Sequence, residues 1–145
     1  MQIFTIGFTK KNAKGFFEIL KSSGIKRLID IRLNNSSQLA GFTKSADLKY
    51  FLKEICGAEY IHELLLAPTK ELLIEYKKEK GDWGNYEKRF LKLLSDRRVE
   101  EKIKRESFEI PTVLLCSEKT PDHCHRRLVS EYLKEKWNDI EITHL

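Results

Sequence analysis

Residues 110–127 read Ile110-Pro111-Thr112-Val113-Leu114-Leu115-Cys116-Ser117-Glu118-Lys119-Thr120-Pro121-Asp122-His123-Cys124-His125-Arg126-Arg127. The run from Ile110 to Cys116 is aliphatic and β-branched with no polar alternation, the pattern of a strand buried on both faces. A polar turn follows. Thr120 is then placed to cap a helix with Pro121 at its first position, where a missing N–H costs nothing. Leu128, Tyr132 and Leu133 continue the apolar side of that helix. A buried strand feeding a helix is half of a βαβ unit, so the stretch predicts an α/β fold.

The same alternation extends in both directions. Ile3–Ile6 is a short strand closed by Gly7, and Asn12 can cap a helix with Ala13, Phe16, Phe17 and Leu20 on one face and Gly24 as its stop. Leu28-Ile29-Asp30-Ile31 is a second strand ending in charge at Arg32, and 33–43 reads as a loop. Ser45 can cap a helix carrying Leu48, Phe51, Leu52 and Ile55 that Gly57 ends. Tyr60-Ile61 forms the core of a third strand. Thr69 can cap a short helix broken at Gly81. A longer helix from about Trp83 turns Tyr86, Phe90, Leu93 and Leu94 inward, with a break expected near Asp96. Ile140–His144 alternates like a final strand. Strands joined by helices imply right-handed crossovers. The expected architecture is a three-layer α/β domain spanning residues 1–145, with a mainly parallel sheet of about five strands and helices on both faces.

Bulk properties narrow the setting. A chain of 145 residues fits one domain and can bury about two-thirds of its unfolded surface, so bulk stability requires no disulfide or metal. The longest apolar run, Leu64–Ala67, falls far short of the roughly 18 residues of a membrane helix. Three cysteines and no export signal predict free thiols in a reducing cytoplasm. The net charge of +5 is compatible with a polyanion. However, the 27 basic residues are interleaved with 22 acidic ones, which also fits solvated lysines.

Ligands of open parallel sheets bind at the carboxyl ends of the strands. The polar residues expected there are Thr9, Asp30, Arg32, Tyr60, His62, Cys116, Glu118 and His144. A helix N-terminus after the Cys116 strand favours an anion through its unpaired N–H groups and dipole, and Arg126 or Arg127 can add a bidentate fork. The bland alternative is a capped helix with solvated side chains, and local pattern does not separate the two. Asp30 and Glu118 can divide acid and base work if their surroundings differ, or Asp30 pairs with an arginine to finish its strand. His62 beside Tyr60 is a candidate for proton transfer or substrate contact.

Zinc ligand types are present in Cys116, Cys124, His62, His123, His125 and His144. Yet seven residues separate the two cysteines, unlike the short knuckles of structural zinc sites, and Cys116 sits in an apolar strand. No metal or other cofactor is therefore expected. Cys124 lies between two histidines in a setting that can favour thiolate. The sixth residue after Cys116 is Asp122 rather than a phosphatase arginine, which favours a core role. Trp83 and Trp137, at helical positions, are expected in the core, the alternative being exposed faces that serve an interface.

Taken together, these residues resemble the bacterial and archaeal family known as domain of unknown function 488. The opening Thr5-Ile6-Gly7-Phe8-Thr9 is similar to its start, Asp30-Ile31-Arg32 to its Asp-x-Arg strand end, and Tyr60 with His62 to its third strand. Leu115–Glu118 through Pro121 to Cys124-His125-Arg126 resembles its most specific motif, and His144 its last strand. Departures are Phe8 in place of histidine, Asn34–Gln38 in place of a proline-containing stretch, and Leu66-Ala67 in place of a glycine pair. The resemblance implies a compact α/β fold with a polar cleft containing Asp30, Arg32, Glu118, Cys124 and Arg126, and implies no settled activity.

The leading expectation is an enzyme acting on a phosphate-bearing ligand, a nucleotide or nucleic acid. Arg32, Cys116, Cys124, His125 and Arg126 would line the ligand site, while Asp30, Glu118, Tyr60 and His62 would do the chemistry. The alternatives are a non-catalytic nucleotide or nucleic-acid binding module, and a metal-stabilised interaction domain built on Cys116, Cys124 and a histidine.

Overall fold

In a computed structural model of the chain, residues 1–35, 41–78, 81–118 and 122–145 are described. Five strands, β1 (Gln2–Gly7), β2 (Arg27–Asp30), β3 (Glu59–His62), β4 (Thr112–Cys116) and β5 (Glu141–His144), form one parallel sheet in the order β3-β2-β4-β1-β5. Its central strand is β4, every residue of which is buried. That is why its sequence shows no alternation. Ile110 is partly exposed and precedes the strand. The Pro111 carbonyl accepts from Lys26 and Arg27, joining the starts of β4 and β2.

The helices are α1 (Ala13–Ser22), α2 (Ser45–Phe51), α3 (Lys70–Lys78), α4 (Trp83–Arg97), α5 (Val99–Lys102) and α6 (His125–Trp137). Alternation along the strands sends side chains to two separate cores. Leu28, Val113, Leu115 and Ile6 meet Phe16, Phe17 and Leu20 of α1 and Leu48 of α2. Ile3, Ile29 and Leu114 meet Phe90 and Leu94 of α4 and Leu128, Val129 and Leu133 of α6. Helices thus cover both faces, giving the three layers that the sequence predicts.

Two of the four helix caps expected from the sequence, Asn12 and Thr69, are found, and Asp82 supplies one that was not expected. The Asn12 side chain accepts from Gly15 N–H at 2.8 Å, Asp82 from Asn85 at 3.2 Å and Thr69 from Leu72 at 3.1 Å. Ser45 opens α2 without capping it, the preceding Lys44 being the cap residue. The helix widens into a π-helical turn over Leu52–Cys56 before Gly57 ends it in the left-handed region. Ala13, expected inward, is exposed.

One boundary differs in a way that matters for the site. The last long helix was expected to open at Thr120-Pro121, but α6 opens at His125 with Cys124 as its cap residue. Thr120 and Pro121 lie outside the described residues, as do Ser36–Gln38 of the loop after β2. Starting at His125 places Cys124 and His125, rather than Pro121, over the end of β4. No helix among the described residues is long and apolar enough to cross a membrane.

Candidate functional site

The connections from β1 and β2 leave through α1 and α2 on one face, whereas that from β4 leaves through α6 on the other. The chain therefore diverges on both sides of β4, the position where open α/β sheets hold ligands. A cavity of about 510 Å³ lies at this end, lined by Arg32, Cys116, Glu118, Cys124 and His125 on the sheet side. Its volume is within the usual range for a small-molecule site.

Arg32 reaches the cavity because Asp30 holds it. The Asp30 carboxylate, fully buried, accepts from Arg32 Nε and Nη2 at 2.8 Å each, from the Arg32 backbone N–H at 3.1 Å and from Tyr60 Oη at 2.6 Å. Arg32 Nη2 also donates to the Thr43 carbonyl at 2.7 Å, and its guanidinium lies 5.4 Å from the centre of the Phe8 ring. A pair this buried survives because each charge is matched and hydrogen-bonded. Tyr60 accepts in turn from Asn35 at 3.1 Å. Burial first, then the bond to Asp30, raises its phenol pKa well above the ordinary value. His62 Nε2 bonds the Arg32 carbonyl at 2.7 Å, bracing the chain just after β2.

Asp30, Tyr60 and His62 thus form a layer beneath and beside Arg32 and do not themselves line the cavity. Arg126 is placed differently again. Its side chain is fully buried in the crevice between β1 and β4, where Nη1 donates to the Glu118 carbonyl at 2.5 Å. Burial lowers its pKa to about 10, with Glu118 acting in the opposite direction, and it stays charged at neutral pH. Gly7, paired with Cys116, makes room for it: a Cβ there would collide with Arg126 Nη1 and with the Glu118 carbonyl oxygen. Thr9 fixes the same turn by donating from N and Oγ1 to the Ser117 carbonyl at 3.0 and 2.5 Å.

The cavity floor is built from sulfur and imidazole. Three free thiols were expected, but Cys116 and Cys124 are drawn together as a sulfur–sulfur pair, leaving Cys56 as the free cysteine. The cause is topological, since the end of β4 and the start of α6 meet there. His125 Nδ1 is 3.2 Å from Cys116 Sγ, and Nε2 is 2.7 Å from the Ile31 carbonyl oxygen. A carbonyl only accepts, so Nε2 carries the hydrogen and Nδ1 presents its lone pair to the sulfur. Burial lowers the His125 pKa to about 4 despite the Ile31 bond, keeping the ring neutral at neutral pH. His144, read as a strand-end group, lies apart, with Nδ1 2.6 Å from Thr5 Oγ1.

The family model for the domain of unknown function DUF488 matches residues 12–133. The chain belongs to this family. No curated protein and no solved structure matches it. The matched segment of this DUF488 protein includes Asp30, Arg32, Tyr60, His62 and the whole Cys116–Arg126 motif. Gly7 and His144 fall outside the match, although β1 and β5 complete the sheet.

Sequence reading of the DUF488 domain missed the far wall of the cavity. Tyr76, Lys77, Trp83, Tyr86 and His123 line it. Trp83 is stacked between Tyr86 and His123, with centroids 5.1 Å apart on each side, and Tyr86 stacks on Phe90 at 6.0 Å. This ladder runs from the core to the exposed His123. The signal was present in Trp83, Tyr86 and Phe90, at three- and four-residue spacing on one helical face, but it reads equally as core.

Proposed function

We propose that this DUF488 protein is an enzyme acting on a phosphate-bearing ligand, a nucleotide or the end of a nucleic acid strand, in the cavity beside β4. One observation carries the reading. A single cavity of about 510 Å³ is lined by the cationic residues Arg32 and Lys77, by Glu118 and by a wall of aromatic rings. That combination suits a ligand with a planar apolar part and an anionic part.

In this reading Lys77 neutralises the phosphate, and Arg32, whose charge Asp30 already balances, donates a hydrogen bond to it. The outer face of His123, backed by Trp83, carries the planar ring. Glu118, exposed and following β4, moves the proton. Asp30 with Tyr60, and His62 through the Arg32 carbonyl, act on the ligand by orienting Arg32. Arg126 acts by holding the Glu118 main chain.

The test is turnover of mononucleotides, dinucleotides and short oligonucleotides followed by chromatography. Glu118→Gln, with an unchanged circular dichroism spectrum, is expected to lower kcat by about 100-fold or more, the typical contribution of a positioned acid or base. Lys77→Ala is expected to raise KM. Full turnover in Glu118→Gln, or no response to any phosphate compound, refutes the reading. Binding without turnover would make the domain a binding module.

A further inference from the structure

Sγ of Cys116, Sγ of Cys124 and a ring nitrogen of His125 all lie within 4.8 Å of one another, and the three residues are buried. We propose that Cys116 and Cys124, reduced to thiolates, and Nδ1 of His125 bind one zinc ion whose remaining coordination position faces the cavity. The inference is independent of the phosphate reading and stands on four features of the cluster.

The imidazole is already arranged as a ligand. Nε2 is committed to the Ile31 carbonyl at 2.7 Å, which turns the Nδ1 lone pair toward the sulfurs. Metal-bound histidines ordinarily give their second N–H to such an acceptor, which fixes the tautomer and ring plane. A disulfide would instead leave Cys116 with no hydrogen to donate. Nδ1 would then be an acceptor without a donor in a buried site, an arrangement that is costly to leave unmet.

The backbone spacing also favours an ion between the sulfurs. The two Cα atoms are 7.2 Å apart, beyond the roughly 4.4–6.8 Å that disulfides usually span. Zinc–sulfur bonds of about 2.3 Å at a tetrahedral angle hold sulfurs about 3.8 Å apart. Both cysteines sit on anchored elements, one ending the central strand and the other capping a helix of 13 residues, so widening the sulfur pair is easier than moving the backbone inward.

Charge is balanced as well. Two buried thiolates would be costly alone, and a divalent cation neutralises them. Finally, no fourth histidine, cysteine or carboxylate joins the group among the described residues. Three protein ligands with one open position is the pattern of catalytic zinc, whereas structural zinc is closed by four. All three ligand residues line the cavity, which gives the open position access to a ligand or water.

The test uses the full chain, reduced and stripped with a chelator, then titrated with cobalt(II). One equivalent is expected to bind, with a sulfur-to-cobalt charge-transfer band and the intense visible absorption of a four-coordinate site, and zinc should displace it. X-ray absorption of the zinc-loaded protein should show two sulfur and one imidazole neighbour plus a light atom. Cys124→Ser should weaken binding by more than the about 10–100-fold that loss of an outer-shell partner produces, while Cys56→Ser should leave it unchanged. No stoichiometric uptake by reduced, folded protein would overturn the proposal, as would uptake unaltered in Cys124→Ser. If that variant does not fold, the wild-type absorption spectrum decides, and a zinc shell without two sulfurs would overturn it.

Discussion

Replacing Asp30 by asparagine changes one atom, yet the structure implies a large cost. Two donors, the Arg32 backbone N–H and Nε, converge on Oδ1, and two more, Arg32 Nη2 and Tyr60 Oη, converge on Oδ2. An asparagine can accept on one side only. Whichever way its amide turns, its NH2 group meets two donors. The Arg32 charge, 4% exposed, then has no counter-charge in contact. Breaking a buried ion pair from one side typically costs about 3–5 kcal/mol, a large part of the roughly 5–15 kcal/mol that holds a domain folded. At about 2–4 °C per kcal/mol for a chain near this size, Tm should fall by roughly 6–20 °C.

Urea unfolding followed by circular dichroism measures the loss directly, with an unchanged m-value showing that the unfolded reference has not moved. The pair also makes a second, sharper statement. Asp30→Leu combined with Arg32→Met removes both charges, so the double variant should be more stable than Asp30→Leu alone. The reasoning fails if Asp30→Asn loses less than about 1 kcal/mol, or if the double variant shows simply the sum of the single losses.

Other expectations follow from neighbouring contacts. Gly7→Ala forces a methyl onto the Glu118 carbonyl and the Arg126 guanidinium, so it should cost at least the about 1–3 kcal/mol of ordinary overpacking, read as a lowered urea midpoint. Tyr60→Phe removes the phenol between Asn35 and Asp30 and should cost about 1.5–3 kcal/mol, as for a hydrogen bond to a charged group. A variant as stable as the parent would deny the phenol this role. The His144 pKa is lowered, by partial desolvation first and then by the Arg126 charge, so the unfolded chain takes up its proton more readily than the folded one. This contribution is complete above the ordinary histidine pKa and is lost as pH falls below it. His144→Gln should flatten the decline in urea midpoint on acidification, and an unchanged slope would contradict the assignment.

Much of the fold was legible because hydrophobic burial writes a local signature. The unbroken Thr112–Cys116 run could only be a central strand once helices flanked it, and Asn12, Thr69 and Gly57 act where their chemistry suggests. The α6 boundary is not set by local sequence. Thr120-Pro121 satisfies the local rule for a helix start, but packing over β4 sets the start at His125, and no local rule contains that contact. Arg126 was equally opaque. An arginine in a polar motif reads as a surface cation, and only the close approach of β1 to β4 at Gly7 shows that its side chain is enclosed.

The spacing of the cysteines shows where such reading stops and why. Short gaps identify zinc knuckles because one loop must deliver both ligands. In this fold the sulfurs come from a strand end and a helix cap, with the third donor one residue further along that helix. The gap between Cys116 and Cys124 therefore measures only the connection between two elements that pack into one shared core. The same logic explains the aromatic wall. Trp83 and Tyr86 are distant in sequence from Cys116, yet α4 packs beside α6 on one face of the sheet, which brings the ladder of rings opposite the sulfur and imidazole floor. A site assembled in this way leaves its residue types in the sequence but not its distances. The chemistry of such a cluster follows from the sheet order, which sets which strand end meets which helix.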